Sequence, residues 1–179
     1  MHFKIISSET IDENPWWKYK HDKYLSSSGE EGDYYYGESS GAAMVVPVLD
    51  DGRLVLINQY RYLSDRFNVE FPCGGMHAHE SPAVAAEREL LEETGFKVNE
   101  LVNIGSFESS RTFLKDRIHV FVATNVEKTI PQNLEKTEVI EVIYRRIDEF
   151  DDMIKRGEIQ DGQTLATWAM VRNYLANIK

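Results

Sequence analysis

Apolar positions along this chain change character from one end to the other. Over residues 1–40 they are sparse and mostly aromatic. Residues 1–7 alternate weakly, with Phe3, Ile5 and Ile6 apolar, and predict an edge strand. Residues 15–24 and 32–37 carry aromatic side chains of high strand propensity on either side of Ser26-Ser27-Ser28-Gly29, which predicts two antiparallel strands. Residues 42–49 and 53–60 are apolar, β-branched runs around Asp50-Asp51-Gly52, a hairpin pattern. A short strand is expected at 68–71. Good helix formers then fill 83–93, with Ser81 as N-cap, Pro82 at the first helical position and Gly95 as C-cap. Strands at 96–107, 117–124 and 138–145 and helices at 148–156 and 163–178 complete the pattern. Strands, a helix, more strands and two helices predict an α+β chain, a mixed sheet with helices on its faces.

The helix over 83–93 holds most of the chemistry. On a wheel of about 100° per residue with Arg88 at zero, Glu92, Glu89 and Glu93 fall at roughly 40°, 100° and 140°. Ala86, Leu90, Ala83, Leu91 and Val84 fall between roughly 160° and 320°. This predicts a core stripe on one face and a carboxylate edge on the other. Glu89 and Glu93 are i,i+4 neighbours, and like charges so placed repel. A hard cation with oxygen ligands offsets that repulsion, and Mg²⁺ is the usual ion beside phosphates. A solvated acidic helix is the plainer alternative. Two features favour a site: Glu80 lies just before the helix, and Gly74-Gly75 lets backbone approach a ligand.

Composition narrows the function classes. Acidic side chains outnumber basic ones by 30 to 20, for a net charge of −10. That balance argues against nucleic-acid and anionic-membrane partners. Cys73 is the single cysteine, so there is no intrachain disulfide and no cysteine zinc site, and a cytoplasmic setting is expected. It reads as a small buried filler, not a nucleophile. His77 and His79 lack a third ligand at metal spacing and read as solvent-exposed. Arg61 ends a strand, where it either clamps a phosphate or caps the strand. Trp16, Trp17 and residues 34–36 either stack a base or ribose, or pack an interface or core.

The segment Gly74-x5-Glu80-x7-Arg88-Glu89-Leu90-Leu91-Glu92-Glu93-Thr94-Gly95-Phe96 resembles the Nudix box, G-x5-E-x7-R-E-U-x-E-E-x-G-U, at all nine specified positions over 23 residues. Asn14-Pro15-Trp16, residues 32–36, Gln59-Tyr60-Arg61 and Glu70-Phe71-Pro72 resemble the subgroup that hydrolyses ADP-ribose and other nucleoside diphosphate sugars. The resemblance implies an α/β/α sandwich over 41–179 with an antiparallel β extension over 1–40, and a homodimer formed through that extension. It implies a Mg²⁺- or Mn²⁺-dependent pyrophosphohydrolase with a small nucleoside diphosphate derivative as substrate. Metal ligation falls to Glu89, Glu93 and the Cys73 carbonyl, with Glu80 and Glu92 completing or supporting the shell. Arg88 orients the glutamates. Arg61, Glu70, Trp17 and Glu108 fall at substrate-contacting positions. The general base comes from a later loop, where Glu138 matches best and Glu135 is the alternative. ADP-ribose-specific members often carry a proline some 15 residues past the box, whereas this chain has Ser109-Ser110-Arg111-Thr112 there, which leaves other nucleotide sugars such as GDP-mannose open. A non-catalytic nucleotide-sensing module and an RNA cap hydrolase are the alternatives.

Overall fold

The computed structural model describes residues 2–177. Eleven strands run as β1 (Lys4–Glu13), β2 (Trp17–Leu25), β3 (Glu31–Ser39), β4 (Ala42–Pro47), β5 (Leu54–Arg61), β6 (Arg66–Glu70), β7 (Cys73–Gly75), β8 (Phe96–Phe107), β9 (Leu114–Lys115), β10 (Ile118–Lys128) and β11 (Ile140–Arg145). The helices are α1 (Pro82–Thr94), α2 (Ile147–Lys155) and α3 (Gly162–Asn177). Met1 and Ile178, both inside predicted elements, lie outside the described residues. Among those residues no helix is long and apolar enough to cross a membrane.

Three sheets form. The central one has the order β7-β4-β10-β8, with β4 and β10 parallel and the other pairs antiparallel. A second, antiparallel throughout, has the order β11-β5-β6. The third is β1-β2-β3-β9. β4 shows why its run is continuously apolar. Met44 and Val46 face a cluster with Phe71, Phe150, Trp168 and Val171, on the side of α2 and α3. Ala43 and Val45 face the other way, onto Ala85, Ala86 and Leu90 of α1. A strand buried on both faces loses the polar alternation of a one-sided sheet. β5 does the same, with Leu54 and Leu56 in the first cluster and Val55 in the second. The result is a mixed sheet layer between helices, as expected.

The predicted hairpin over residues 42–60 is corrected. The turn forms, with Gly52 N–H donating to the Leu49 carbonyl at 2.8 Å, and a single bridge joins Val48 to Leu54. Beyond it the strands part into different sheets. Each is flanked on both edges by other strands, β4 by β7 and β10 and β5 by β6 and β11, so neither edge remains for pairing between them. β1 also runs further than residues 1–7, because every one of its residues is exposed and the pattern carried no burial signal. The short strands β7 and β9 were not predicted; pieces of two or three residues leave no periodicity to read.

The N-terminal sheet is tied across its strands by His21. Its Nδ1 lies 2.8 Å from the Glu9 carboxylate on β1 and its Nε2 2.6 Å from Asp33 on β3. Its ring stacks on Tyr35 at 4.4 Å. Both nitrogens donate only when the ring is protonated, and the hydrogen bonds to Glu9 and then Asp33 raise its pKa above 6.5. A raised folded-state pKa gives stability that is complete below the unfolded value and lost as pH rises through the folded one. We expect an NMR titration of His21 to give a midpoint above 6.5. The alkaline loss of thermal stability in this range should be smaller in His21→Gln. A midpoint at or below the ordinary histidine value contradicts the clip.

Candidate active site

Helix α1 is set by its ends. Ser81 Oγ accepts from Val84 N–H at 3.3 Å, and Pro82 occupies the first turn, where no N–H is needed. Gly95 closes the helix at φ 77°, its N–H on the Leu91 carbonyl at 2.9 Å. The buried residues of α1 are Ala85, Ala86, Glu89, Leu90, Glu93 and Thr94. The expectation of a core stripe opposite a carboxylate edge is therefore corrected. Glu89 and Glu93 lie in the middle of the buried face, while Val84, counted as core, is exposed. Alanine leaves room for the sheet to approach that face closely, and the two glutamates go in with it.

Glu93 is 2% exposed and Glu89 8%. The backbone N–H of Cys73 donates to Glu93 Oε2 at 3.0 Å. Gly74 sits against Glu89 so closely that a methyl group on it would lie 1.9 Å from Oε1, so a side chain there would push the Glu89 carboxylate aside. Burial raises the pKa of Glu89, and burial followed by repulsion from Glu89 pushes Glu93 well above the carboxylate range. The negative charge of Glu138 raises both.

Arg88 ties the acids on the outer side. Its Nε and Nη2 hold Glu80 at 2.9 and 3.0 Å, Nη1 reaches Glu89 at 2.6 Å and Glu92 at 3.1 Å, and Nη2 also donates to the Gly75 carbonyl at 2.9 Å. The guanidinium holds Glu80 down to about 2, helped by the His77 N–H. Glu80 thus stays charged and anchors Arg88 to the loop before the helix. His77 and His79 are exposed.

Two further groups complete the rim. Arg61 at the end of β5 grips Glu70 of β6 with Nε at 3.0 Å and Nη2 at 2.5 Å; the Arg61 side chain is 44% exposed and that of Glu70 only 4%. The positive charge of Arg61 acts on Glu93 and lowers its pKa. The loop over residues 131–139 is pinned to α1 by Gln132 Nε2, which donates to the Glu93 carbonyl at 2.6 Å, and by Asn133 N–H on the Glu92 carbonyl at 2.9 Å. Glu138 is half-buried there and accepts from Glu135 N–H at 2.9 Å, while Glu135 is exposed.

The structure thus links Cys73, Glu80, Arg88, Glu89, Glu92 and Glu93 along α1 and the loop before it, with the Arg61–Glu70 pair and Glu138 on the neighbouring strand end and loop. It places Trp17 and Glu108 elsewhere. Trp17 is on β2, and Glu108 pairs with Arg111 at 3.0 Å and Arg117 at 3.6 Å beside a cleft of about 380 Å³ that Asp22, Tyr34 and Tyr36 also line. Gln132 was missed: no charge or motif marks an amide in a polar loop. Among the described residues no three acidic, histidine or cysteine side chains converge on one point, since Glu89 turns to Arg88 and Glu138 to its own loop. The donor chemistry still suits a hard divalent cation. Two buried carboxylates sit side by side, and among the described hydrogen bonds and ion pairs Glu93 has a backbone N–H and no cation.

Comparison with known proteins accords with this geometry. The family model for the NUDIX domain matches residues 39–168. The chain is 32% identical over 126 residues to the methanol dehydrogenase activator of Bacillus methanolicus, covering 70% of this chain and 68% of that one. It is 31% identical over 125 residues to the ADP-ribose pyrophosphatase of Bacillus subtilis (strain 168), covering 69% and 68%. A crystal structure of an ADP compounds hydrolase superposes with a TM-score of 0.82 over 98% of this chain and 95% of that one, at 22% identity. With the family model spanning most of the chain and every box position filled in the sequence, the protein belongs to the Nudix family.

Proposed function

We propose that the protein is a Mg²⁺-dependent pyrophosphohydrolase, with Mn²⁺ as the substitute ion, that cuts a nucleoside diphosphate sugar into a nucleoside monophosphate and a sugar phosphate. The observation that carries this reading is the buried Glu89–Glu93 pair on α1, whose Glu93 feels the charges of both Arg61 and Glu138. Glu89, Glu93 and the Cys73 carbonyl would hold the ion, with Glu80 and Glu92 behind them on Arg88. Once bound, the ion offsets the pyrophosphate charge and lowers the pKa of its water.

The chain's own groups account for the rest. Arg61 has donors left over from Glu70 and offers them to a phosphoryl oxygen, while Glu70 holds the guanidinium plane in place. Water forms the new P–O bond, the bridging P–O bond breaks, and Glu138 takes the proton. Trp17, Tyr34, Tyr35 and Glu108 lie at or near the N-terminal sheet, and they meet a substrate only if that sheet joins two copies. Exposed Phe3, Ile5, Ile6, Ile11 and Trp16 favour such a homodimer, with residues 1–40 as its interface and 41–179 as the hydrolase domain. The single free cysteine suits a reducing cytoplasm.

Incubation with ADP-ribose, ADP-glucose, GDP-mannose and UDP-glucose, read by phosphate release after added phosphatase, should show turnover of at least one with Mg²⁺ and none under chelation. No turnover of any of them contradicts the reading. Glu138→Gln should lower kcat by ~10²–10⁴-fold with KM nearly unchanged, while Glu135→Gln does little. A crippled Glu135→Gln beside an active Glu138→Gln reverses the assignment. Light scattering should give about twice the 20.7 kDa chain mass; a monomer mass at micromolar concentration contradicts the dimer.

A further inference from the structure

Among the described residues two buried side-chain oxygens have no hydrogen-bond partner, Asp22 Oδ1 and Gln59 Oε1. Asp22 belongs to the N-terminal sheet. Gln59 belongs to β5, and its position in the ladder brings it to the site above. It pairs directly with Ile140, two residues after Glu138, and the next residue ties that segment down, Tyr60 N–H donating to the Val139 carbonyl at 3.0 Å. Alternation along β5 puts Val55, Ile57, Gln59 and Arg61 on one face. Val55 packs with Ala85, Ala86 and Leu90 of α1, so this is the face turned to the helix that carries the buried acids. Along it the residues run apolar until Gln59, which sits about 7 Å before Arg61.

A buried acceptor without a donor is uncommon. No hydrogen bond among the described residues supplies one. Arg61 gives Nε and Nη2 to Glu70, and Gln132 Nε2 goes to the carbonyls of Glu93 and Ile140. The missing donor is therefore brought in from outside. Gln59 is only 6% exposed, so the donor is small, a water in preference to a sugar ring.

We propose that Gln59 is a positioning residue for the attacking water, a role that rests on the pyrophosphohydrolase reading. Its Oε1 accepts one hydrogen of the water and Glu138 takes the other. The water's lone pair then points at phosphorus and forms the new P–O bond as the bridging P–O bond breaks. The hydrogen on Gln59 stays with the product phosphate. An amide suits this task because it accepts without removing a proton and adds no charge beside Glu89, Glu93 and Glu138.

Gln59→Met keeps the length of the side chain and removes the acceptor. We expect kcat to fall about 10–100-fold through loss of orientation, on every substrate alike, with KM unchanged. The thermal midpoint of the metal-free variant should stay the same or rise, because an unsatisfied polar atom has gone. A rise in KM at constant kcat would point to a substrate hydroxyl and overturns the proposal. A fall in the midpoint alongside the fall in kcat would mean packing and also overturns it. An active wild type beside an undiminished variant overturns this proposal alone; an inactive wild type overturns it together with the proposed function.

Discussion

Two carboxylates on adjacent turns of one helix, both turned inward, set the terms for the rest of this structure. Removing charged groups from water costs several kcal/mol each unless something compensates. Glu89 has Arg88, and Glu93 has the Cys73 N–H. That compensation is partial, and burial shifts both groups toward the neutral form. The sign follows directly. Carboxyls whose folded pKa is raised cost the metal-free protein stability as pH rises from the unfolded value through the folded one. Other features of the site serve to keep this arrangement. A side chain on Gly74 would displace the Glu89 carboxylate, the small Ala85 and Ala86 let α1 lie close to the sheet, and Arg88 is braced by Glu80 from the loop before the helix.

Much of this was legible in the sequence, and the exceptions share a cause. The caps Ser81, Pro82 and Gly95 mark α1 because capping is local chemistry. The box spacing marked Glu80, Arg88, Glu89, Glu92 and Glu93 together. Which way they face was not legible. The wheel treated glutamate as outside and valine as inside, and the structure reverses both for Glu93 and Val84. A hydrophobicity pattern has no means of recognising a charge that is buried for use. The splaying of β4 and β5 failed for a similar reason: a tight turn predicts a hairpin locally, but strand partners far along the chain decide the sheet. Gln132 and the unpartnered oxygen of Gln59 are contextual, since an amide becomes informative only when its neighbours are known.

The N-terminal sheet shows the complementary situation. Its strands are polar enough to stand in water, yet β1 and its surroundings leave Phe3, Ile5, Ile6 and Ile11 exposed. His21 joins three strands at one point with Glu9 and Asp33. The sheet is held to the rest of the chain by β9, parallel to β3, and by Tyr34, whose hydroxyl donates to the Thr112 carbonyl at 2.5 Å. Trp17 lies on this sheet and Glu108 beside the cleft it lines, and any part they play in substrate binding depends on what the sheet packs against.

The central claim is that the inward-facing pair on α1 is a cation site whose charge is uncompensated without the ion. Thermal unfolding at mildly alkaline pH, with chelator and with added Mg²⁺, tests it on the protein as it stands. A ligand that binds only the folded state raises the midpoint in proportion to its occupancy. The account predicts that Mg²⁺ raises the wild-type midpoint, that Glu93→Gln melts higher than wild type in chelator, and that Mg²⁺ then adds little to the variant. A wild-type midpoint indifferent to Mg²⁺, or a variant that gains as much from it as wild type, would contradict the account.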